Sequence, residues 1–106
     1  MSNRTSIKGV NVSTDHYIFG KRVPSKKKFT VINPNNPSEV LAEVSRGDKE
    51  IAKLAVAAAR EGFNVWSVMS VDERSSIMHK LADLIDSNVD DISLIEGDIS
   101  YRCISK

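Results

Sequence analysis

The first candidates for a nucleophile or a base in this sequence are its one cysteine, Cys103, and its two histidines, His16 and His79. A reactive cysteine must be a thiolate in an electropositive, partly enclosed setting, with a base held beside it. Cys103 has the basic neighbours Arg102 and Lys106, but three residues follow it, too few to enclose a substrate. We therefore interpret Cys103 as a thiol without a catalytic role.

The two histidines and the paired carboxylates also lack the partners that chemistry requires. A zinc site needs further cysteine or histidine ligands at matched spacing, and none accompanies His16 or His79. Carboxylate pairs that begin a helix complement its dipole without any catalytic role. The pairs in this sequence are Asp72/Glu73, Asp90/Asp91 and Glu96/Asp98. The five glycines form no Gly-x-Gly-x-x-Gly or Walker-type loop, so we predict no catalytic, cofactor-binding or metal site.

Composition bounds the class of protein. A chain of 106 residues with 41% hydrophobic and 27% charged residues is typical of one globular domain with a modest core. No apolar run approaches the roughly 20 residues that span a bilayer, and no apolar signal core is present. With one cysteine, no disulfide can form within the chain. We expect a cytoplasmic location and no membrane partner.

Charge is distributed unevenly along the chain. Residues 1–30 hold seven basic side chains and one acid, whereas residues 61–106 hold four basic and nine acidic. Binding to phosphate backbones needs a concentrated basic face, and the densest cluster, Lys26–Lys28, lies where a turn is expected. We predict a solvated turn and no nucleic-acid partner, with binding through this turn as a weaker alternative.

The elements that would position these residues follow from local patterns. Residues 1–15 are polar and aperiodic and predict a flexible tail. Two β-favouring runs, 17–23 and 29–32, predict a hairpin whose turn is 24–28, and a third strand is predicted at 39–44 after Asn33-Pro34. The fold class is therefore α+β, with strands first and helices after them.

Three helices are predicted, near 48–63, 70–87 and 89–97. Asp48 or Ser45 is the expected cap of the first, and Ser70 with Glu73 forms a capping box for the second. The first helix has a face of small residues at Ala55, Ala58 and Ala59. The second has an apolar stripe at Ile77, Leu81, Leu84 and Ile85.

Two ordered series of residues resemble the opening of an aldehyde dehydrogenase. Residues 17–23 are similar to the family's Ile-Asn-Gly-Lys-x-Val strand, with Phe19 where asparagine is usual, and the string Asn-Pro-Asn-Asn-Pro-Ser-Glu-Val at 33–40 is similar to its Asn-Pro turn. The second series keeps the family's order and spacing through Ala58-Ala59-Arg60-Glu61-Gly62-Phe63, Trp66-Ser67, Glu73-Arg74, Leu81-Ala82-Asp83-Leu84-Ile85 and Asn88 with Asp90-Asp91. The resemblance covers about residues 17–96.

The resemblance implies part of an aldehyde dehydrogenase-like α/β fold: a flexible tail at 1–15, a segment flanking the cofactor domain at 16–97, and a divergent tail at 98–106. It implies an NAD(P)-dependent oxidoreductase, and the string at 33–40 favours the branch that oxidises L-glutamate γ-semialdehyde in proline catabolism. In the family, the residues for NAD(P), the oxyanion, the general base and the nucleophile lie beyond this region. We therefore expect the chain alone to bind no cofactor and to be catalytically incompetent.

The sequence is compatible with two functions. The first is a scaffold piece of an aldehyde dehydrogenase. A truncation, a change of reading frame or a degenerate tail would each explain why the resemblance breaks after Glu96. The second is a non-catalytic interaction module that pairs, through exposed helix faces, with a full-length dehydrogenase or another partner. In both cases we expect self-association or association with dehydrogenase subunits.

Overall fold

A computed structural model of the chain describes residues 3–99. The described part is an α+β unit in which strands precede helices, and the predicted fold class is confirmed. The strands are β1 (Arg4–Ile7), β2 (Val10–Ser13), β3 (His16–Ile18), β4 (Lys21–Val23), β5 (Lys28–Asn33) and β6 (Asn36–Ser45); the helices are α1 (Lys49–Trp66), α2 (Val71–Ser87) and α3 (Val89–Ile99).

The strands pair only with their neighbours in sequence. Across residues 3–99, β1 pairs with β2, β3 with β4 and β5 with β6, each pair antiparallel. The predicted flexible tail at 1–15 is therefore wrong for residues 4–13, which form the first hairpin. Its turn needs two positive φ angles, at Lys8 (51°) and Gly9 (83°), a pattern that the alternation of polar residues did not reveal.

The second hairpin also differs from the prediction. The chain reverses at Phe19 (φ 48°) and Gly20 (φ 75°), so β3 pairs with β4 inside the run 17–23, for which the sequence predicts a single strand. Residues 24–27 connect β4 to β5 and are not a hairpin turn. The third predicted strand is the longer β6, which pairs with β5 and carries a bulge where Leu41 is the extra residue between the pairs Val31–Ala42 and Ile32–Val40.

Hydrogen bonds tie the hairpins together. Thr14 N donates to Asn3 O at 3.1 Å, and Ser45 N donates to Thr14 O at 3.0 Å, which links the first hairpin to the end of β6. Thr14 and Ser45 are both buried. Within the described residues, the buried apolar side chains are Ile7, Leu41 and Ala42, and α3 packs over β1 and β5. The core is therefore small and lies among hairpins rather than between helices.

The three helices begin and end close to where the sequence predicts. Asp48 Oδ1 accepts from Ile51 N at 2.9 Å, and the capping box of α2 is formed by Ser70 and Glu73, as expected. Neither α1 nor α2 contains a buried residue. Along the described chain, no helix is both long and apolar enough to cross a membrane.

Candidate functional site

The candidate chemical residues are placed in structural roles. His16 Nε2 lies 2.9 Å from Ser25 Oγ, and its ring lies against Gly47, where an added Cβ would be 3.5 Å from Cε1. Ser25 N in turn donates to Ser45 Oγ at 3.2 Å. The half-buried His16 therefore joins β3 to the connections on either side of β5–β6.

The second histidine is exposed on α2. His79 Nδ1 lies 2.9 Å from Ser75 O, so that nitrogen carries the proton and donates to the carbonyl one turn earlier. Among residues 3–99, no three His, Cys, Asp or Glu side chains are grouped so as to hold a metal ion. Cys103, which the sequence singled out, lies outside the described residues.

The first two carboxylate pairs, Asp72/Glu73 and Asp90/Asp91, lie at helix starts, as the dipole argument predicts. Glu73 Oε2 accepts from Ser70 N at 2.9 Å, and this hydrogen bond holds the pKa of Glu73 below its usual range. A carboxyl that stays ionised cannot serve as a general acid near neutral pH. Asp90 and Asp91 occupy the first turn of α3. Of the third pair, Glu96 is exposed on α3, and the side chain of Asp98 is not described.

The motif asparagine at residue 33 is a structural residue. Asn33 is buried; its Nδ2 donates to Glu39 Oε2 at 2.9 Å, and its Oδ1 accepts from Asn35 N at 2.9 Å. Such an Asx-type turn closes a loop with the side chain in place of backbone. Asn33 therefore fixes the turn between β5 and β6, and Pro37 falls in the irregular part of that pairing, where no ladder donor is required.

A buried carboxylate near the start of the chain was missed by sequence reasoning. Asp15 accepts from Asn3 through both side-chain oxygens, from Asn3 Nδ2 at 2.9 Å and from Asn3 N at 2.9 Å. These hydrogen bonds, led by that from the Asn3 side chain, lower the pKa of Asp15 despite its burial. The sequence pattern of residues 1–15 predicts a tail, and no motif within it indicates the contact between Asp15 and Asn3.

The basic cluster is solvated, as predicted. Lys26–Lys28 are exposed in the connection and the first residue of β5. Two arginines nearby are engaged with aromatic rings: Arg22 lies 4.8 Å from the ring centre of its cross-strand partner Tyr17, and Arg46 lies 5.4 Å from that of Phe29. The cations of this region are thus divided between solvent and aromatic faces and do not form one continuous basic surface.

The helix starts do not suit the pyrophosphate of a dinucleotide. Helix N-termini bind phosphate when their amides are free and positive. Here Asp48 caps α1, Glu73 and Ser70 occupy the start of α2, and Asp90 stands in the first turn of α3, so each described start carries negative charge. These three helix starts therefore do not offer a pyrophosphate an uncapped, positively polarised terminus.

The dominant surface feature is exposed apolar area. The accessible surface is 8363 Å², about 2500 Å² more than a folded monomer of 11.7 kDa exposes. The radius of gyration is 16.7 Å, against about 13 Å for a compact chain of this length. Helix residues that a core would cover are open to solvent: Leu54, Phe63, Ile77, Leu81, Leu84 and Ile85 are 45–65% exposed.

A shallow groove lies where the second hairpin meets α1. It has a volume of about 300 Å³ and is lined by Ile18, Phe19 and Val23 on the hairpin and by Leu54 and Ala58 on α1. Ala55 and Ala58 of the predicted small-residue face are half-buried against the hairpin, while Ala59 is exposed. The helix approaches the hairpin closely on one side only. The candidate site is therefore an open apolar surface rather than a catalytic centre.

Short paired strands, an asparagine-headed turn, two capped helices with open apolar faces and a third helix packed on the strands define an α+β scaffold unit. Comparison with protein families identifies this unit. The chain belongs to the aldehyde dehydrogenase family, whose model matches residues 22–98. The resemblance drawn from the sequence is confirmed.

Individual relatives agree with this assignment. The chain is 40% identical over 82 residues to the 5-carboxymethyl-2-hydroxymuconate semialdehyde dehydrogenase of Escherichia coli, a match that covers 77% of the chain and 17% of that protein. It is 48% identical over 65 residues to horse aldehyde dehydrogenase 1A1, covering 58% and 13%. It is 37% identical over 68 residues to the 1-pyrroline-5-carboxylate dehydrogenase of Geobacillus thermodenitrificans, covering 64% and 13%. The chain thus spans 13–17% of the length of these relatives.

Proposed function

We propose that this chain is the N-terminal scaffold of an NAD(P)-dependent oxidoreductase that converts an aldehyde to a carboxylate. The family match over residues 22–98 is the observation that carries the proposal. As substrate we propose L-glutamate γ-semialdehyde, an intermediate of proline catabolism, with a cytoplasmic location. The string at 33–40 and the pyrroline-carboxylate relative support this finer assignment.

In this proposal the chain packs against the rest of the enzyme and supplies no catalytic residue for aldehyde oxidation. Aldehyde oxidation requires a thiolate, a stabilised oxyanion, a cofactor placed for hydride transfer and a base for deacylation. The described residues offer capped helices and open apolar faces, which suit packing against the sheet of a larger domain. The chain alone is therefore proposed to be catalytically incompetent and to bind no NAD(P) by itself.

NADH formation tests this proposal directly. The purified chain is assayed with glutamate semialdehyde and with simple aldehydes, and we expect no turnover. Activity that survives rigorous purification and disappears in a Cys103→Ser variant would contradict catalytic incompetence, because it would assign a nucleophile to this chain.

Reconstitution tests the scaffold role. The E. coli relative is prepared without its matched 82-residue segment, and the chain is added in trans. We expect NADH formation only in the mixture. Leu54→Asp, which places a charge on the exposed face of α1, is expected to prevent recovery, whereas Lys53→Asp on the same exposed helix is not. Recovery that is indifferent to both variants would argue against packing through α1.

A second candidate function is a non-catalytic interaction module, and the excess of exposed surface favours it. About 2500 Å² is more than the roughly 800 Å² per partner that a standard interface buries. The partner proposed is a dehydrogenase subunit or another copy of the chain. Light scattering that reports a monodisperse monomer, with cooperative thermal unfolding and no binding of a hydrophobic dye, would contradict this function.

A further inference from the structure

The first hairpin, β1–β2, is fixed at its base by a group of polar residues. Asn3 precedes β1, Thr14 and Asp15 follow β2, and Ser45 ends β6. Thr14 N donates to Asn3 O, and Ser45 N donates to Thr14 O. Thr14, Asp15 and Ser45 are all buried. One set of contacts therefore joins both ends of the hairpin to the end of β6.

Asp15 carries the charge of this group. Its Oδ1 accepts from Asn3 Nδ2 and its Oδ2 from Asn3 N, both at 2.9 Å. The bond from the Asn3 side chain contributes most to lowering the pKa of Asp15; the backbone bond, the charge of Lys28 and the side chain of Ser45 lower it further, and burial opposes them. Hydrogen bonds to an ionised carboxylate are about twice as strong as neutral ones. We call Asn3, Asp15 and Ser45 the Asp15 clasp.

Away from the clasp, the hairpin has few attachments to the rest of the described chain. Its ladder hydrogen bonds join β1 only to β2. Ile7 is buried, β1 contacts α3, and Thr5 Oγ1 lies 3.5 Å from Leu41 O, which is long for a hydrogen bond. A two-stranded hairpin is marginally stable by itself. The position of the first hairpin against β6 therefore depends strongly on the clasp.

We propose that the first hairpin is a strap that opens and closes as one unit, and that the Asp15 clasp holds it closed against β6. Local unfolding in proteins commonly involves one supersecondary motif at a time. In the open state β5 and β6 remain paired, because their register from Lys28–Ser45 to Asn33–Asn36 does not involve the strap. The inference goes beyond the scaffold role and does not depend on aldehyde oxidation.

Opening the strap changes two contacts outside it. The helix α3 loses its contact with β1 and keeps the one with β5. The carbonyl of Leu41, the extra residue of the bulge in β6, loses the Thr5 hydroxyl. The strap also lies ahead of residues 22–98, which match the family. Its opening therefore alters the surface of the matched segment without disrupting the strand pairing within it.

Hydrogen exchange, followed residue by residue by NMR at neutral pH, tests the strap in the full chain. Asp15→Asn removes the charge and replaces one acceptor oxygen with a donor, so the paired amides of β1–β2 should exchange about tenfold faster or more. Those of β5–β6 should change by less than about twofold, because they belong to a separate unit. Asp86→Asn, which removes an exposed carboxylate from α2, is the matched control and should alter neither hairpin.

A double-mutant cycle tests whether Asn3 acts through Asp15. Asn3→Ala removes the bond to Oδ1 and keeps the backbone N–H that bonds to Oδ2. We expect it to speed exchange in β1–β2 by a smaller factor than Asp15→Asn does. In the Asp15→Asn background its effect should shrink, because the carboxylate is already absent. Equal effects in the two backgrounds would contradict the clasp.

The other outcomes also decide the question. Unchanged exchange in β1–β2 of Asp15→Asn would show that the carboxylate does not hold the strap. Equal acceleration in β5–β6, or a variant that no longer folds, would show that Asp15 supports the whole strand region. Paired amides of β1–β2 that respond to low urea with different slopes would indicate fraying rather than opening as one unit. These results are independent of NADH formation, so a failure of the proposed function would leave them unchanged.

Discussion

The capping box at the start of α2 leads to a prediction about helicity. Whether a serine-to-alanine substitution lowers or raises the helicity of α2 should depend only on where in the helix the serine lies. Ser70 Oγ accepts from Glu73 N at 3.1 Å, and Ser70 N donates to Glu73 Oε2 at 2.9 Å. Because α2 contains no buried residue, its stability depends on local terms more than on packing. Ser70→Ala removes one cap acceptor and should destabilise α2 by about 1 kcal/mol, which shifts its helix–coil equilibrium roughly fivefold toward coil.

A matched substitution within the same helix has the opposite expectation. Ser76 is exposed in the interior of α2, where alanine is a better helix former than serine by about 0.5 kcal/mol. Far-UV circular dichroism at equal protein concentration should therefore show lower helicity for Ser70→Ala and higher helicity for Ser76→Ala. The reasoning would be refuted if both variants gained helicity, since Ser70 would then behave as an interior residue.

The same box should give the helix a pH dependence. The hydrogen bond from Ser70 N lowers the pKa of Glu73, so the contribution is fully present above the pKa of the unfolded chain, about 4.3. It is lost as the pH falls through the lower folded-state pKa. Glu73→Gln should remove this dependence, while Ser70→Ala, which keeps the backbone N–H, should retain part of it. A titration of helicity that is identical in Glu73→Gln and the parent would contradict the assignment.

Three further predictions concern the hairpins. Phe19 adopts φ +48°, so Phe19→Asn should stabilise the chain by about 1 kcal/mol, because asparagine tolerates that conformation; thermal unfolding should show a higher midpoint. Asn33→Ala removes the bonds to Glu39 and to the turn backbone and should cost about 2 kcal/mol; an unchanged urea midpoint would show that the turn does not need them. The pKa of Asp15 is lowered by its bonds with Asn3, so the Asn3 amide resonance should stay constant above about pH 4 and move as Asp15 protonates below it; movement already at neutral pH would refute this contact.

Helices were predictable from this sequence because their signals are local. Asp48 and the Ser70–Glu73 box mark helix starts within four residues of chain, and α1 and α2 follow directly. Strand pairing was less accessible. The run at 17–23 has strand-forming residues throughout, yet it reverses at Phe19, a residue that is unfavourable at positive φ.

The missed contacts share one property, which is distance in sequence. Asp15 is held by Asn3 across twelve positions, and Ser45 is bonded to Thr14 from the far end of β6. The spacing of apolar and polar residues along the sequence does not indicate contacts between residues so far apart. For Arg74, family spacing drew attention to the residue, but only the structure shows that its Nε is enclosed without an acceptor among the described residues.

The pairing of each strand with its immediate neighbour has a consequence for how the chain is made. A hairpin of this kind closes on the microsecond timescale, far faster than a ribosome adds residues at about 5–20 per second. The pairs at 4–13, 16–23 and 28–45 can each close before the next is synthesised, and the capped helices need no distant partner to start. The apolar face of α2 emerges after all three hairpins and is uncovered among residues 3–99, so we expect the nascent chain to bind chaperones at Ile77–Ile85 rather than at its strands.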